Sequence, residues 1–443
     1  MSSYPLMIRS KINFLTIIML IMKIKKTLIV LWGILITSFY CFSQDFSEWR
    51  GIGRTGVYNE KGLLKRWPIL GPQLLWSAKG LPKGFSSMSI ANNLVYFTGL
   101  KDTIDFLVAV DFKGQKKWET PIGESWVQSF PDSRCTPTIE GDRVYVTSGT
   151  GNVACYNSIT GESIWNIDTI KKFDGKLGDW GCAESLLLVD DKVIFTACGE
   201  ETTLVAQDKK TGATIWTSKS LKDTAAYVSP LLVNEGGKKL IITVTANYLV
   251  VANAENGEIL CSSKYASLSN EKSLKLWTGG PNCKTNTPVY YDRKIFVTGG
   301  YDHVGALYRL SDDLKTLTVD WINETLDVHH GGVVLVNGYI YGSNWITNSV
   351  GNWCCLDWKT GKTMYEKKWK TKGSIIANDG MLYCYEEKTG YLALVKAIPE
   401  SFSLVSSFRI PFGSGPFWAH PVIKNGILYV RHGDAIMAYN IKE

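Results

Sequence analysis

Three stretches carry residue types and spacings that could do chemistry. Gly51-Ile52-Gly53-Arg54-Thr55-Gly56 matches the glycine pattern of a dinucleotide-binding turn, His329-His330-Gly331-Gly332 offers two adjacent imidazoles, and Cys354-Cys355 offers two adjacent thiols. A dinucleotide turn needs a strand before the glycines and a helix after them, because the helix N-terminus holds the pyrophosphate. Here no apolar strand precedes Gly51 and no helical pattern follows Gly56, so the glycines read as turn residues and Trp49 and Arg50 as side chains docking on the body of the protein. The histidine pair invites a metal site or an oxyanion-type turn. No Gly-x-Ser-x-Gly elbow accompanies it, and adjacent strand residues diverge, which favours hydrogen-bonded polar residues at a strand start.

Residues 1–43 hold five basic residues and no acidic one, around apolar runs at Ile12–Ile21 and Thr27–Phe42. The basic start at Met22–Lys26, the apolar core and the small Ser43 have the layout of a secretory signal peptide, which predicts export to the periplasm or medium and cleavage near Ser43. Residues 1–21 then read as an upstream start-site artefact, and lipid attachment at Cys41 is disfavoured by Tyr40 before it. Without this segment the formal charge of +7 falls to +2. That balance argues against nucleic acid as a partner, and no membrane span remains after cleavage. Cys155, Cys198, Cys261, Cys354, Cys355 and Cys384 lie in strand-like runs, which leaves at most one disulfide among Cys135, Cys182 and Cys283.

The elements that must position these groups are repeats. "VACYNSITGESIW", "LVAQDKKTGATIW" and "WCCLDWKTGKTMY" share one template: a small residue, Asp or Asn, Thr-Gly and a closing aromatic. Eight β-branched or aromatic runs, from Val95-Tyr96-Phe97 to Leu428-Tyr429-Val430, recur 42 to 54 residues apart, with no long helical pattern between them. This predicts an all-β chain, an eight-bladed β-propeller of four-stranded blades over 73–443, preceded by an arm at 44–72. The last repeat stops at Ala438-Tyr439-Asn440 without its aromatic strand, and Gln73-Leu74-Leu75-Trp76-Ser77 supplies one, so the N-terminal strand is expected to close the ring.

The template resembles the pyrroloquinoline-quinone (PQQ)-like repeat of quinoprotein dehydrogenases and of the propeller lipoprotein of outer-membrane protein assembly. With "WRGIGRTG", "GLLKRWP", "DVHHGGVVLVNGYIYGSN" and "WAHPVI", the chain is similar to exported PQQ-binding-like propeller proteins over Phe46–Ile441. The resemblance implies the fold and export. It leaves two functions open: a ligand-binding or protein-interaction scaffold, or a PQQ-dependent alcohol or sugar oxidoreductase using PQQ with calcium. In the second, Cys354-Cys355 would lie against the cofactor, although Cys355 occupies the small-residue phase of a packing strand.

Counting back from the eight runs, one phase holds Ser87, Thr136, Ser185, Ser229, Thr287, Gly332, Ser374 and His420, a small or polar ring expected at one end of the central channel. Just before it come Trp126, Arg134, Trp180, Glu184, Tyr227, Trp277, Lys284, His329, His330, Lys372 and Trp418. Aromatic faces with a few charged donors suit a small molecule, a glycan or a peptide, or a segment of another envelope protein, bound by a monomer. The alternative is that these aromatics only plug the channel.

Overall fold

The computed structural model describes residues 45–265 and 284–443. The predicted leader, its cleavage site, Cys41, Trp277 and Cys283 lie outside them. Eight sheets form a ring, an eight-bladed propeller: blade 1 (89–124), blade 2 (138–168), blade 3 (187–217), blade 4 (231–263), blade 5 (289–323), blade 6 (333–367), blade 7 (373–409) and blade 8 (422–440 with Gln73–Ala78). Gln73–Ala78 pairs antiparallel with Ala435–Asn440, Trp76 opposite Ala438, so the N-terminal strand completes the last blade. No helix among the described residues is long and apolar enough to cross a membrane.

Each blade has two apolar faces because alternate strand residues point to opposite sides. The buried side chains accordingly fall into eight clusters, one at each junction between neighbouring blades. The template explains how the junctions fit. Asp208 Oδ1 accepts from the amides of Lys210 and Thr211, and Asn157 Oδ1 from those of Ile159 and Thr160, which fixes the turn between the third and fourth strands. The turn glycine then lies under the aromatic of the preceding blade. A Cβ on Gly212 would stand 2.9 Å from the Trp165 ring, and one on Gly161 2.7 Å from Trp118. The same relation links Gly114 of blade 1 to Trp76, 2.9 Å from its would-be Cβ, so the borrowed strand also restores the contact that closes the ring.

This contact makes a graded prediction. Gly212 has φ +72° and no room for a methyl, whereas Gly236 has φ +57° and open space around it. Gly212→Ala is expected to cost about 2–4 kcal/mol, backbone strain plus overpacking, and Gly236→Ala about 1 kcal/mol, strain alone. Denaturant midpoints of the two variants, compared with wild type, measure the difference; equal losses would show that the tryptophan contact carries no weight.

Candidate functional site

The arm at 46–72 enters the ring before the chain adds its strand to blade 8. Phe46–Ser47 adds to the inner edge of blade 2, and Val57–Tyr58 runs parallel to the inner strand of blade 7. Between them the glycine-rich stretch makes a single 3-10 turn at Ile52–Arg54, with Gly53 at φ +69°. It holds no pyrophosphate cradle. Its two arginines, both 3% exposed, instead reach into the channel.

Arg50 donates to the carbonyls of Val333 (2.5 Å) and Ile375 (3.1 Å) and to His420 Nδ1 (2.9 Å). Arg54 donates to the carbonyls of Ser185 and Leu186 at 2.8 and 2.7 Å and pairs with Glu48 at 2.9 Å. One arm thus ties together the inner strands of blades 3, 6 and 7 and the lead-in to blade 8. Inner-strand carbonyls have no sheet partner on their channel side, and the guanidinium forks satisfy several at once. Arg50 has no carboxylate partner among the described residues; burial pulls its pKa down to about 10, which leaves it charged at neutral pH.

Above this plug the predicted polar ring forms a belt of blade-to-blade hydrogen bonds. The amides of Ser87, Thr136 and Ser185 donate to the hydroxyls of Thr136 (2.9 Å), Ser185 (3.3 Å) and Ser229 (2.9 Å) in turn, and Thr287 Oγ1 donates to the Ser229 carbonyl at 2.7 Å. Ser87 Oγ donates to the His420 carbonyl at 2.6 Å. The belt and the arm floor a cavity of about 490 Å³ open at the mouth.

Of the residues expected there, Arg134, Trp180, Tyr227, His329, His330, Trp418 and His420 line this cavity. Trp126, Glu184, Lys284 and Lys372 do not. Trp126 packs over Gly181, where a Cβ would lie 2.6 Å from its ring, and its indole N–H donates to Ser129 Oγ. Glu184 is one residue before the ring, so it points away into the blade, where its Oε2 accepts from the Thr196 amide at 3.1 Å and burial raises its pKa well above the usual range. Lys284 is buried with its ammonium 5.7 Å from the Tyr265 ring centre. Lys372 turns beneath the mouth to pair with Glu387 and donate to the Asn348 carbonyl at 2.9 Å.

Sequence reasoning missed Phe85, Phe130, Ala183, Thr285, Tyr301, Asn348 and Ser349 in the lining. A usable signal existed for three of them. The positions two residues before the ring are Phe85, Arg134, Ala183, Tyr227, Thr285, His330, Lys372 and Trp418, and all but Lys372 face the cavity, as strand alternation requires. Phe130, Asn348 and Ser349 come from connecting loops whose course no periodicity announces.

The histidine pair corrects the sequence expectation. His329 and His330 sit in a bend before the strand Val333–Val336, and their ring centres lie only 4.5 Å apart rather than on opposite faces. His330 also packs at a tilt against Trp418 (5.0 Å) and its Nε2 lies 3.2 Å from Glu387 Oε2, close but without hydrogen-bond alignment. His420 is oriented from both sides: Arg50 donates to Nδ1, so Nε2 carries the proton and donates to the His330 carbonyl at 3.1 Å. Trp49 rests against the same ring at 5.3 Å. Among the described residues no cluster of three His, Cys, Asp or Glu could hold a metal ion.

The donor set also fails to suit a quinone cofactor bound with calcium. None of the described residues lining the cavity is a carboxylate, whereas calcium takes six to eight oxygen ligands. The two adjacent cysteines are strand packing: Cys354 belongs to the cluster between blades 5 and 6, and Cys355 to the one between blades 6 and 7.

Two outcomes test this geometry. Arg50→Ala orphans two carbonyls and an imidazole nitrogen, and is expected to lower stability by about 2–4 kcal/mol in denaturant unfolding. Burial and the neighbouring Arg50 push His420 down to about 3, and burial first, then nearby positive charge, lowers His329 and His330. Their ring nitrogens should keep neutral-imidazole NMR shifts from pH 8 to 5, and titration near 6.5 would contradict the site. Because the unfolded histidines do take up protons there, their contribution to stability is complete above about pH 6.5 and is lost as the pH falls toward 3.

A family model described as outer membrane protein assembly factor BamB (PQQ_2) matches residues 104–367. Outer membrane protein assembly factor BamB of Moranella endobia (strain PCIT) is 23% identical over 288 residues, which is 64% of this chain and 70% of that protein. Among solved structures, BamB from Moraxella catarrhalis superposes with a TM-score of 0.60 at 12% identity, covering 83% of this chain and 99% of that one. A europium-containing methanol dehydrogenase gives a TM-score of 0.60 at 11% identity over 88% and 90%. At such identities the structural likeness speaks for the fold alone. The family match spans more than half of the sequence, and on that ground this chain belongs to the PQQ_2 family of BamB-type repeat propellers.

Proposed function

We propose that this protein is an extracytoplasmic interaction scaffold that holds an aromatic-bearing segment of another envelope protein in the mouth of its channel. The observation that carries the reading is the mouth itself. An aromatic lining continues outward onto two loops that expose Val127, Phe130, Ile346 and Val350 at 47%, 57%, 43% and 39%. Phe130, Phe85 and His330 all pack on Trp418, at 5.6, 4.6 and 5.0 Å. A pocket that opens onto an apolar rim suits a side-chain anchor presented by a larger partner, since such anchors carry most of the energy of an interface. Arg134, which donates to the Ser129 carbonyl at 3.0 Å, adds a cation that favours a carboxylate near the anchor.

Membership of a family described as an outer membrane protein assembly factor supports an envelope partner. The oxidoreductase alternative draws on a shared fold and finds no carboxylates among the described residues lining the mouth to hold its calcium. Co-purification from solubilised envelopes, with partners identified by mass spectrometry, should recover outer-membrane assembly proteins with the wild type. Trp418→Ala and Tyr301→Ala should each reduce recovery about tenfold or more while leaving the fold intact. Dye-linked alcohol oxidation by protein incubated with PQQ and calcium would instead establish the enzyme.

A further inference from the structure

Behind the cavity wall lies a feature that the scaffold reading does not use. Cys135 and Cys182 belong to the lead-ins of blades 2 and 3, are 1% and 8% exposed, and stand as free thiols. Cys135 Sγ is 3.7 Å from the Cys182 carbonyl, and the two sulfurs lie within hydrogen-bonding reach of each other. Most of the other described cysteines are different. Cys155, Cys261, Cys354, Cys355 and Cys384 sit inside strands that fill the junctions between blades.

We propose that Cys135 and Cys182 form a redox-convertible pair that is oxidised to a disulfide in the exported protein and fixes the wall of the mouth. The chemistry is thiol–disulfide exchange with a protein disulfide as oxidant. The Cys182 thiolate attacks one sulfur of that disulfide and expels the other as a thiol, and Cys135 then attacks the mixed disulfide at Cys182. One S–S bond forms here and one breaks in the oxidant, with two protons and two electrons passing from the two cysteines to the oxidant. The pair is polarised for this order. The hydrogen bond from Cys135 holds the Cys182 thiol below the ordinary range, while the same contact and burial raise Cys135. A thiolate-prone, slightly exposed sulfur attacks, and its buried neighbour resolves.

The consequence for the site follows from the neighbours. Arg134 and Thr136 flank one cysteine, Ala183 and Ser185 stand close after the other, and all four line the cavity. A bond between the two lead-ins would lock the separation of these walls, so oxidation should tighten binding at the mouth and raise stability.

The inference rests on the proposed export only for its setting in the cell, because the geometry can be tested on the purified protein. Wild-type protein equilibrated in glutathione disulfide, then denatured, alkylated and digested, should yield the peptide containing Cys135 linked to that containing Cys182. Its unfolding midpoint should rise, and reductant should reverse the rise. Alkylation of both thiols under oxidising conditions would overturn the proposal, as would a link from either cysteine to Cys283. Cys135→Ser and Cys182→Ser should each abolish the reductant-sensitive shift. If either variant fails to fold, peptide mapping of the wild type still decides. Protein recovered from cells with both thiols reduced, yet oxidised readily in vitro, would count against export and not against the pairing.

Discussion

The contact between a turn glycine and the indole of the preceding blade is the constraint on which the rest depends. A four-stranded sheet with two apolar faces cannot stand alone in water, and a ring of such sheets buries every face only if each neighbour approaches to the same distance and angle. Gly161 under Trp118, Gly212 under Trp165, Gly257 under Trp216 and Gly361 under Trp321 set that approach. The repeat carries the Asp or Asn, Thr and Gly together because the side-chain oxygen shapes the turn that presents the bare glycine. Trp76 over Gly114 extends the contact to the ring closure: the strand at Gln73–Ala78 supplies the indole that the last repeat lacks.

A closed ring creates a second problem, because inner strands leave backbone groups facing an axial channel. The protein meets it with two devices at different depths. Hydroxyls at the starts of blades 1 to 5 and 7 bond to the neighbouring blade, and below them Arg50 and Arg54 reach across the channel to carbonyls of several blades. Arg431 bridges a single junction in a similar way, fully buried in blade 8 and donating to the carbonyls of Pro82, Ser86 and Thr98 in blade 1 and its lead-in. Guanidinium suits this role because its donors lie in a rigid plane that bridges acceptors on separate strands. The plug also decides what the mouth can be. With the channel filled from one side, the remaining space is a shallow aromatic pocket, and His420 is held by the plug on one face and supports His330 on the other.

The fold was legible in the sequence because periodicity is a local property repeated eight times. The β-branched runs, the turn template and the truncated last repeat fix strand number, blade number and ring closure without knowledge of any contact. The belt was legible for the same reason, since Ser87, Thr136, Ser185 and Ser229 share one phase. Reading the mouth residues worked best where the same phase applied, although Trp180 and His329 line the cavity from odd offsets and Lys372, at the even one, does not. Arg134, Tyr227, His330 and Trp418 stand an even number of residues before the ring and face the cavity. Glu184 stands one residue before it and faces the blade, although its charge made it attractive.

What the sequence determined by itself was the repeat, and with it the propeller, its closure by Gln73–Ala78 and the polar ring, because each follows from alternation along a strand and from turn chemistry. Tertiary structure decided where the non-repeating parts went. It sent the glycine-rich stretch into the channel and brought His329 and His330 side by side in a bend. It also withdrew Lys372 to Glu387 and set Cys135 beside Cys182. These placements depend on contacts between residues tens to hundreds of positions apart, and no local pattern encodes such a distance.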